Sequence, residues 1–426
     1  MKRQPAVGIM QGFGLFAGSL ARMSSSALSI AVRPLRPASP AVLMTAIVLM
    51  LGLHPTAMYL YLPALPALQD ALGASAAQAQ HTLSAAVASF GIGQWLWGMP
   101  TDRWGRRPVL LAGLALFLVA SLGLMSTRDY GLFLACRVGQ GLGVAAAGVA
   151  CRAMLRDLHA LTDRVHRLSL AFSWLGVISL LGPPVGAWLY AHAGVHATLA
   201  AITAFGAVAL LLVLLKIGET LPSSATRSTW QPGEWRAILR NASFRHYTGL
   251  TASSYIGHYL FLAGSSYALM VRLGMSPQRY ALVLAGGSLV HMAGTFVCRR
   301  WVDRLGLRAT LARAALLTLG GGACMTLLVL LGVHAAWAII APQCLYVFGH
   351  AIHQSCGQAA VSEHFPERAG TASALSGVLL AVPAALIGWL LAASMEHSDL
   401  TMAASMGLCG LATAWIAWRP QSRPLT

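Results

Sequence analysis

The chain has 426 residues, of which 57% are apolar and only 10% charged. An ordinary soluble domain carries about 25% charge, so this composition argues against a soluble enzyme and for a polytopic membrane protein. Its 29 basic and 12 acidic residues give a net charge of +17. The arginines stand in short gaps between apolar runs, not on a polar, aromatic-studded domain, which suits the positive-inside rule and not nucleic-acid binding.

Residues 1–40 read as a basic leader rich in small residues. Its apolar patch, Gly12 to Leu20, follows Lys2 and Arg3 and resembles a weak signal-peptide core. Arg33 and Arg36, just ahead of the first full span, favour a cytoplasmic leader. A crossing helix needs about 20 apolar residues. Segments of that length are predicted at 41–64, 80–100, 108–127, 131–154, 168–191 and 197–216, and again at 245–270, 279–298, 309–332, 335–360, 369–393 and 400–418. The sequence thus predicts an all-α membrane protein: an N-terminal six-helix bundle over 41–217, a cytoplasmic linker over 218–244, a C-terminal six-helix bundle over 245–418, and a cytoplasmic tail over 419–426. With the N-terminus inside, the outer gaps hold only Arg128 and Arg272, with Arg279 at an edge. The inner gaps hold a dozen arginines besides those of the linker, among them Arg103, Arg106, Arg107, Arg152, Arg156, Arg304 and Arg308. This asymmetry predicts that both termini are cytoplasmic.

After the second span the chain reads Gly98-Met99-Pro100-Thr101-Asp102-Arg103-Trp104-Gly105-Arg106-Arg107. Gly98 would let helices approach closely, and Gly105 would permit a tight reversal. Asp102 would face a neighbouring helix N-terminus, where the dipole favours an anion, and the arginines would sit at the anionic inner leaflet. A plain basic loop that fixes topology is the simpler reading. Against it, Asp303, Arg304, Gly306 and Arg308 repeat the D-R-x-G-x-R pattern 201 residues later. The repeat suggests a parallel duplication of a six-helix unit, an architecture that places substrate near the midplane between the halves.

In span four, Arg137 is costly unless paired or wetted; it either senses charge at a nearby site or snorkels outward. Spans one, seven, eight and ten carry His54, His258, His291 and the pair His350 and His353. Histidine titrates near neutrality, so these are candidate proton carriers; the competing reading is interhelical glue. In span ten, Gln343, Tyr346, His350, His353, Gln354 and Gly357 share one helical face. In span seven, Tyr255, His258, Tyr259 and Leu262 do likewise, and both stripes are candidate linings of a substrate and proton cavity. Tyr59, Trp95, Trp174, Tyr255 and Tyr259 offer flat surfaces to an amphipathic ligand; core packing or an interfacial belt is the alternative, above all for Trp95, Trp97 and Trp174. None of the seven cysteines forms C-x-x-C, so no disulfide framework or metal site is indicated. There is no G-x-S-x-G, H-E-x-x-H or nucleotide-phosphate loop. A polytopic membrane enzyme, with a metal on His350-x-x-His353, is therefore the weaker alternative of another class.

These motifs resemble those of the major facilitator superfamily. Gly98 to Arg107 is similar to its loop signature between spans two and three, with Pro100 in place of Leu. Arg137, Gln140 and Gly141 resemble its R-x-x-Q-G element in span four, and Gly182, Pro183 and Gly186 resemble its antiporter element in span five. Within that superfamily, Tyr61-Leu62-Pro63-Ala64-Leu65-Pro66, Arg156-Asp157, Glu219-Thr220-Leu221-Pro222 and Ala369 to Leu375 resemble the bicyclomycin-resistance and chloramphenicol-efflux (Bcr/CflA) drug exporters. The resemblance implies the major facilitator fold: twelve transmembrane helices in two pseudo-symmetric bundles. It implies a monomeric antiporter of the bacterial inner membrane that needs no cofactor beyond the proton gradient, with small amphipathic drugs, protons and membrane lipid as its partners. Export of a metabolite such as a nucleoside, sugar or amino acid is the alternative within transport. One departure matters. The family usually carries an Asp just before Y-L-P in span one, whereas Pro55 to Pro63 contains no acid, and all twelve acids of the chain lie in gaps or at span ends. The histidines are then the candidates for coupling, and Tyr59 and Tyr61 join the candidate lining of the substrate and proton cavity.

Overall fold

The computed structural model describes residues 39–158, 161–221, 234–365 and 369–419. The leader patch Gly12 to Leu20 and the tail after Arg419 lie outside the described residues. Among the described residues, twelve α-helices carry the fold: α1 Pro40–Tyr59, α2 Leu65–Leu72, α3 Ala76–Trp104, α4 Arg106–Ser126, α5 Tyr130–Leu158, α6 Leu161–Lys216, α7 Glu234–Arg240, α8 Ala242–Ser266, α9 Pro277–Leu330, α10 Ala336–His364, α11 Ala369–His397 and α12 Asp399–Trp418. There is no strand among the described residues.

Local sequence sets where these helices begin and break. Ser39 with Pro40, and Ser276 with Pro277, cap the starts of α1 and α9. Ser75 and Gln78 form a reciprocal capping box on α3. Leu62–Ala64, held by Pro63, is a short 3₁₀ turn between α1 and α2. Span seven ends in a π-turn, Tyr267–Arg272. Two long helices fold back on themselves at a glycine. Gly194 (φ 72°) splits α6 into spans five and six, and Gly306 (φ 77°) splits α9 into spans eight and nine.

All twelve expected spans are present. Among the described residues, seven stretches are long and apolar enough to cross a membrane, and two of these, Trp174–Lys216 and Pro277–Leu330, are the folded-back pairs. The helices below that mark are α3, α8 and α10 of spans two, seven and ten. Their polar side chains turn inward: Gln80, Ser84 and Gln94 on α3, Thr248, Thr251 and Ser254 on α8, and Gln343, His350 and His353 on α10 are buried. Lipid-facing positions are apolar instead; Val119, Leu331, Leu390 and Leu408 are two-thirds exposed or more. The linker holds more order than its polarity suggests, since α7 lies inside it and span seven starts at Ala242.

Helices α1 and α3–α6 pack into one bundle and α8–α12 into the other. The bundles meet along two seams, α3 against α11 and the first half of α6 against the first half of α9. A methyl group built on Gly91 of α3 would lie 2.6 Å from the Cβ of Ala381 on α11, so the first seam is closed to backbone contact distance.

Candidate functional site

The loop after span two is a lock of charges around the buried Arg106 and Arg107. Gly105 (φ 105°, ψ 164°) turns α3 into α4 through backbone that glycine alone adopts readily. The backbone N–H groups of Arg106 and Arg107 then open α4 and donate to the Glu219 carboxylate at 2.9 and 3.2 Å. That carboxylate also accepts from the N–H of Thr220 and Leu221 at 2.8 and 2.9 Å. The anion at this helix N-terminus is therefore Glu219, not Asp102 as the sequence suggested. Asp102 accepts from Arg106 Nη1 at 2.8 Å, and Asp157 accepts from Arg106 Nε at 2.8 Å. Arg106 Nη1 also donates to the Thr101 carbonyl at 2.6 Å, and Arg107 Nη2 to that of Leu214 at 3.2 Å. Arg106 and Arg107 are buried and only Arg103 is exposed, so two of the three arginines are drawn away from the lipid surface that the sequence assigned them. The reason is the supply of carboxylates from the ends of spans four and six. Gly98 stands in open space and mediates no close approach.

The second copy keeps the turn and loses the lock. Gly306 (φ 77°, ψ 164°) repeats the reversal of Gly105. Asp303, Arg304 and Arg308 are exposed. At the 201-residue offset, Leu307 stands where Arg106 would and Gln358 where Asp157 would, so the second turn lacks the central arginine of the first.

Arg137 does not snorkel. It is 2% exposed, with its guanidinium 3.6 Å from the centroid of Tyr61. Its Nη1 donates to Gln140 Oε1 at 2.8 Å, and Gln140 Nε2 donates to Ser121 Oγ at 2.9 Å. Tyr61 Oη and Thr82 Oγ1 share a hydrogen bond of 2.6 Å. Gly141 lets span four lie against Ser89 and the Ala86 carbonyl of span two. A cavity of about 20 Å³ opens beside Arg137, between spans one, two and four. His54 borders it, stacked on Phe90 at 4.0 Å. In span five, α6 runs helically through Pro183 and Pro184. Gly182 packs on Tyr59, and a methyl on Gly186 would lie 2.8 Å from Leu60 Cα, so this element seats span five on span one.

The two stripes of the C-terminal half meet each other. His258 and His350 stack with centroids 5.1 Å apart, His291 lies 5.8 Å from His350, and Tyr255 lies 6.1 Å from it. Ser254 Oγ and His350 Nδ1 are 3.0 Å apart, and Gln343 Nε2 and His258 Nδ1 3.2 Å. Tyr346 Oη donates to the Ser254 carbonyl at 3.3 Å, and Gly357 packs on Thr251. Tyr346 and His353 are buried in this seam of spans seven and ten, while Gln354 is half-buried. Interhelical glue thus describes Tyr346. His258, His291 and His350 form a three-imidazole cluster, which separate periodicities in three spans did not reveal. Tyr59 and Tyr255 are half-buried, whereas Trp95 and Trp174 are about half exposed.

At the end of the molecule away from the Gly105 and Gly306 turns, the bundles are tied together. Tyr267 Oη donates to Gln69 Oε1 at 3.2 Å, and the Ala77 N–H to Glu396 Oε2 at 3.3 Å. His81 stacks on Trp389 at 3.9 Å, and Ser84 Oγ and Tyr259 Oη lie 2.8 Å apart. Arg272 pairs with Asp399 within the second bundle at the same end. No sequence signal announced the ties between the bundles, because each of those joins residues from opposite halves.

A profile of the Major Facilitator Superfamily matches residues 47–388. The chain is similar to Multidrug resistance protein D of Escherichia coli (strain K12), 25% identical over 89% of this chain and 95% of that one. It is 31% identical to the Chloramphenicol resistance protein of Pseudomonas aeruginosa over 76% of this chain and 78% of that one. Among solved structures, a D-xylose-proton symporter shares the fold with a TM-score of 0.71, at 17% identity over 89% of this chain and 98% of that one.

Proposed function

The chain belongs to the Major Facilitator Superfamily, and from that premise we propose that it is a monomeric secondary transporter that exports small amphipathic compounds across a bacterial inner membrane. The observation that carries this reading is kinship with drug- and chloramphenicol-resistance proteins along most of the chain. The mechanism is alternating access, in which two bundles rock about a central site. The geometry supports it. Among the described residues the ties at one mouth are four hydrogen bonds and one ring stack, each individually weak and reversible. Where the arginine asymmetry sets the orientation, that mouth is the outer one. The Arg106 lock holds the ends of spans two, three, four and six as one rigid inner corner.

We infer that proton influx drives export and that the cluster of His258, His291 and His350 carries the proton in place of a span-one acid. Imidazoles this close disfavour joint protonation, so one proton entering the cluster changes the charge of the whole. Proteoliposomes with an imposed pH gradient test the proposal. Chloramphenicol and other candidate drugs should each evoke proton flux in at least one case. A broad panel without substrate-evoked flux refutes antiport.

A further inference from the structure

Spans eight and ten bring two thiols together. Cys298 Sγ and Cys356 Sγ lie 3.3 Å apart, and both side chains are buried. Among the described residues no other two cysteines are in contact. The pair is separated by 58 residues, so no sequence motif announced it. The helices that carry it are close enough for a covalent bridge. One turn before Cys298, a methyl built on Gly294 would lie 2.7 Å from the Phe348 carbonyl oxygen and 2.9 Å from the Ala351 Cβ. Spans eight and ten therefore touch backbone to backbone beside the thiols. The sulfurs of a disulfide stand about 2.05 Å apart, so the pair has only about 1 Å to close, within reach of side-chain rotation.

Arg299 and Arg300, directly after Cys298, are exposed. They set the pair at the rim of the apolar zone, on the side that the arginine asymmetry makes cytoplasmic. Disulfides in that compartment are transient and redox-sensing. We propose that Cys298 and Cys356 are a peroxide-sensitive dithiol whose reversible disulfide clasps spans eight and ten and brakes transport. The oxidant is hydrogen peroxide, which is small and uncharged. One thiol gives up its proton, and its thiolate sulfur attacks a peroxide oxygen. The O–O bond breaks, a sulfenic acid forms, and the departing hydroxide takes up that proton as water. The second sulfur then attacks the sulfenic sulfur. The S–S bond forms, the S–O bond breaks, and the released hydroxide takes the second thiol's proton. Two thiols and one peroxide give one disulfide and two waters; the sulfurs lose two electrons and the peroxide oxygens gain them. A thiol reductant reverses the bond by exchange.

The brake follows from what the same two helices hold. Cys298 lies seven residues beyond His291 and Cys356 six beyond His350, about 10 Å further inward along each helix. The pair thus stands between the imidazole cluster and the cytoplasmic end of the seam, and a bond there holds that seam shut. The brake rests on the export and proton readings above; the disulfide rests on the geometry alone.

The test treats purified full-length protein in nanodiscs with hydrogen peroxide, blocks remaining thiols with N-ethylmaleimide and maps peptides by mass spectrometry without reduction. A Cys298–Cys356 linked peptide should appear, and dithiothreitol should remove it. Cys151, buried without a thiol partner, should stay a maleimide adduct. Cys356→Ser should leave Cys298 as a sulfenic acid that dimedone traps; if that variant does not fold, the wild-type map decides alone. Recovery of both residues as maleimide adducts, or as separate sulfinic and sulfonic acids, overturns the proposal. In proteoliposomes, peroxide should slow substrate-evoked flux roughly five-fold or more. Dithiothreitol should restore that flux, and Cys298→Ser should abolish the response. A linked peptide with unchanged flux overturns the brake. Reduced protein that carries no compound sinks the export reading, while the peptide map still decides the disulfide.

Discussion

Replacing Gly91 drives a wedge into the seam between the bundles. A methyl at this position would sit 2.6 Å from the Ala381 Cβ, with the Gly377 carbonyl oxygen and Val382 Cγ2 both 3.6 Å away. Carbon atoms rest at about 3.5–4.0 Å, so α3 and α11 must separate by about 1 Å to admit Gly91→Ala and by more to admit Gly91→Val. Ala381 is short and rigid and cannot swing aside. Overpacking of this kind costs about 1–3 kcal/mol. If the seam opens in the alternate state of the transport cycle, the cost falls on the closed form alone, and the equilibrium shifts roughly 5- to 150-fold. The assay is labelling of Gln69→Cys, in a background without the seven native cysteines, by a membrane-impermeant maleimide added from outside. Gln69 belongs to the tie with Tyr267, so its labelling rate follows opening of that mouth. Gly91→Val should raise the rate within that range. Gly98→Val, where a side chain meets open space, should leave it unchanged. A rate indifferent to Gly91→Val refutes the idea that this seam gates the mouth.

Three further outcomes are expected. Asp102→Asn and Glu219→Gln should each cut transport while membrane insertion, followed by surface biotinylation or yield, stays intact; Glu219→Gln should also lower thermal stability by about 1 kcal/mol, because a charged partner at a helix N-terminus is lost. Undiminished export by both would reduce the loop to a topology signal. Gly186→Ala should destabilise the protein by about 1–3 kcal/mol in a thermal unfolding series, since its methyl runs into the backbone of Leu60; a neutral result would show that spans one and five are not in contact there. Replacing both His350 and His353 by Gln should flatten the pH dependence of export, with His350 responsible if the cluster reading holds. A profile identical to the wild type would return both imidazoles to a packing role.

The sequence by itself determined the twelve spans, the division into halves and the two loop turns. Each is a local property. The length of an apolar run decides whether a segment can cross a bilayer, and the positive φ of Gly105 and Gly306 follows from the residue type that tolerates it. Tertiary structure decided the rest, because charge and polar partners in this protein are supplied across long sequence distances. Glu219 reaches the start of α4 from 113 residues away, a contact that the E-T-L-P stretch did not announce. The D-R-x-G-x-R pattern reads alike in both halves, yet its variable position decides the outcome: Arg106 is buried between Asp102 and Asp157, and its counterpart is Leu307. Periodicity put the span-seven and span-ten histidines on faces; only packing showed that His258, His291 and His350 converge while His353 is buried in the seam of spans seven and ten. Arg137 was legible as a costly residue, but its seat over the Tyr61 ring and against Gln140 is visible only in the packed structure.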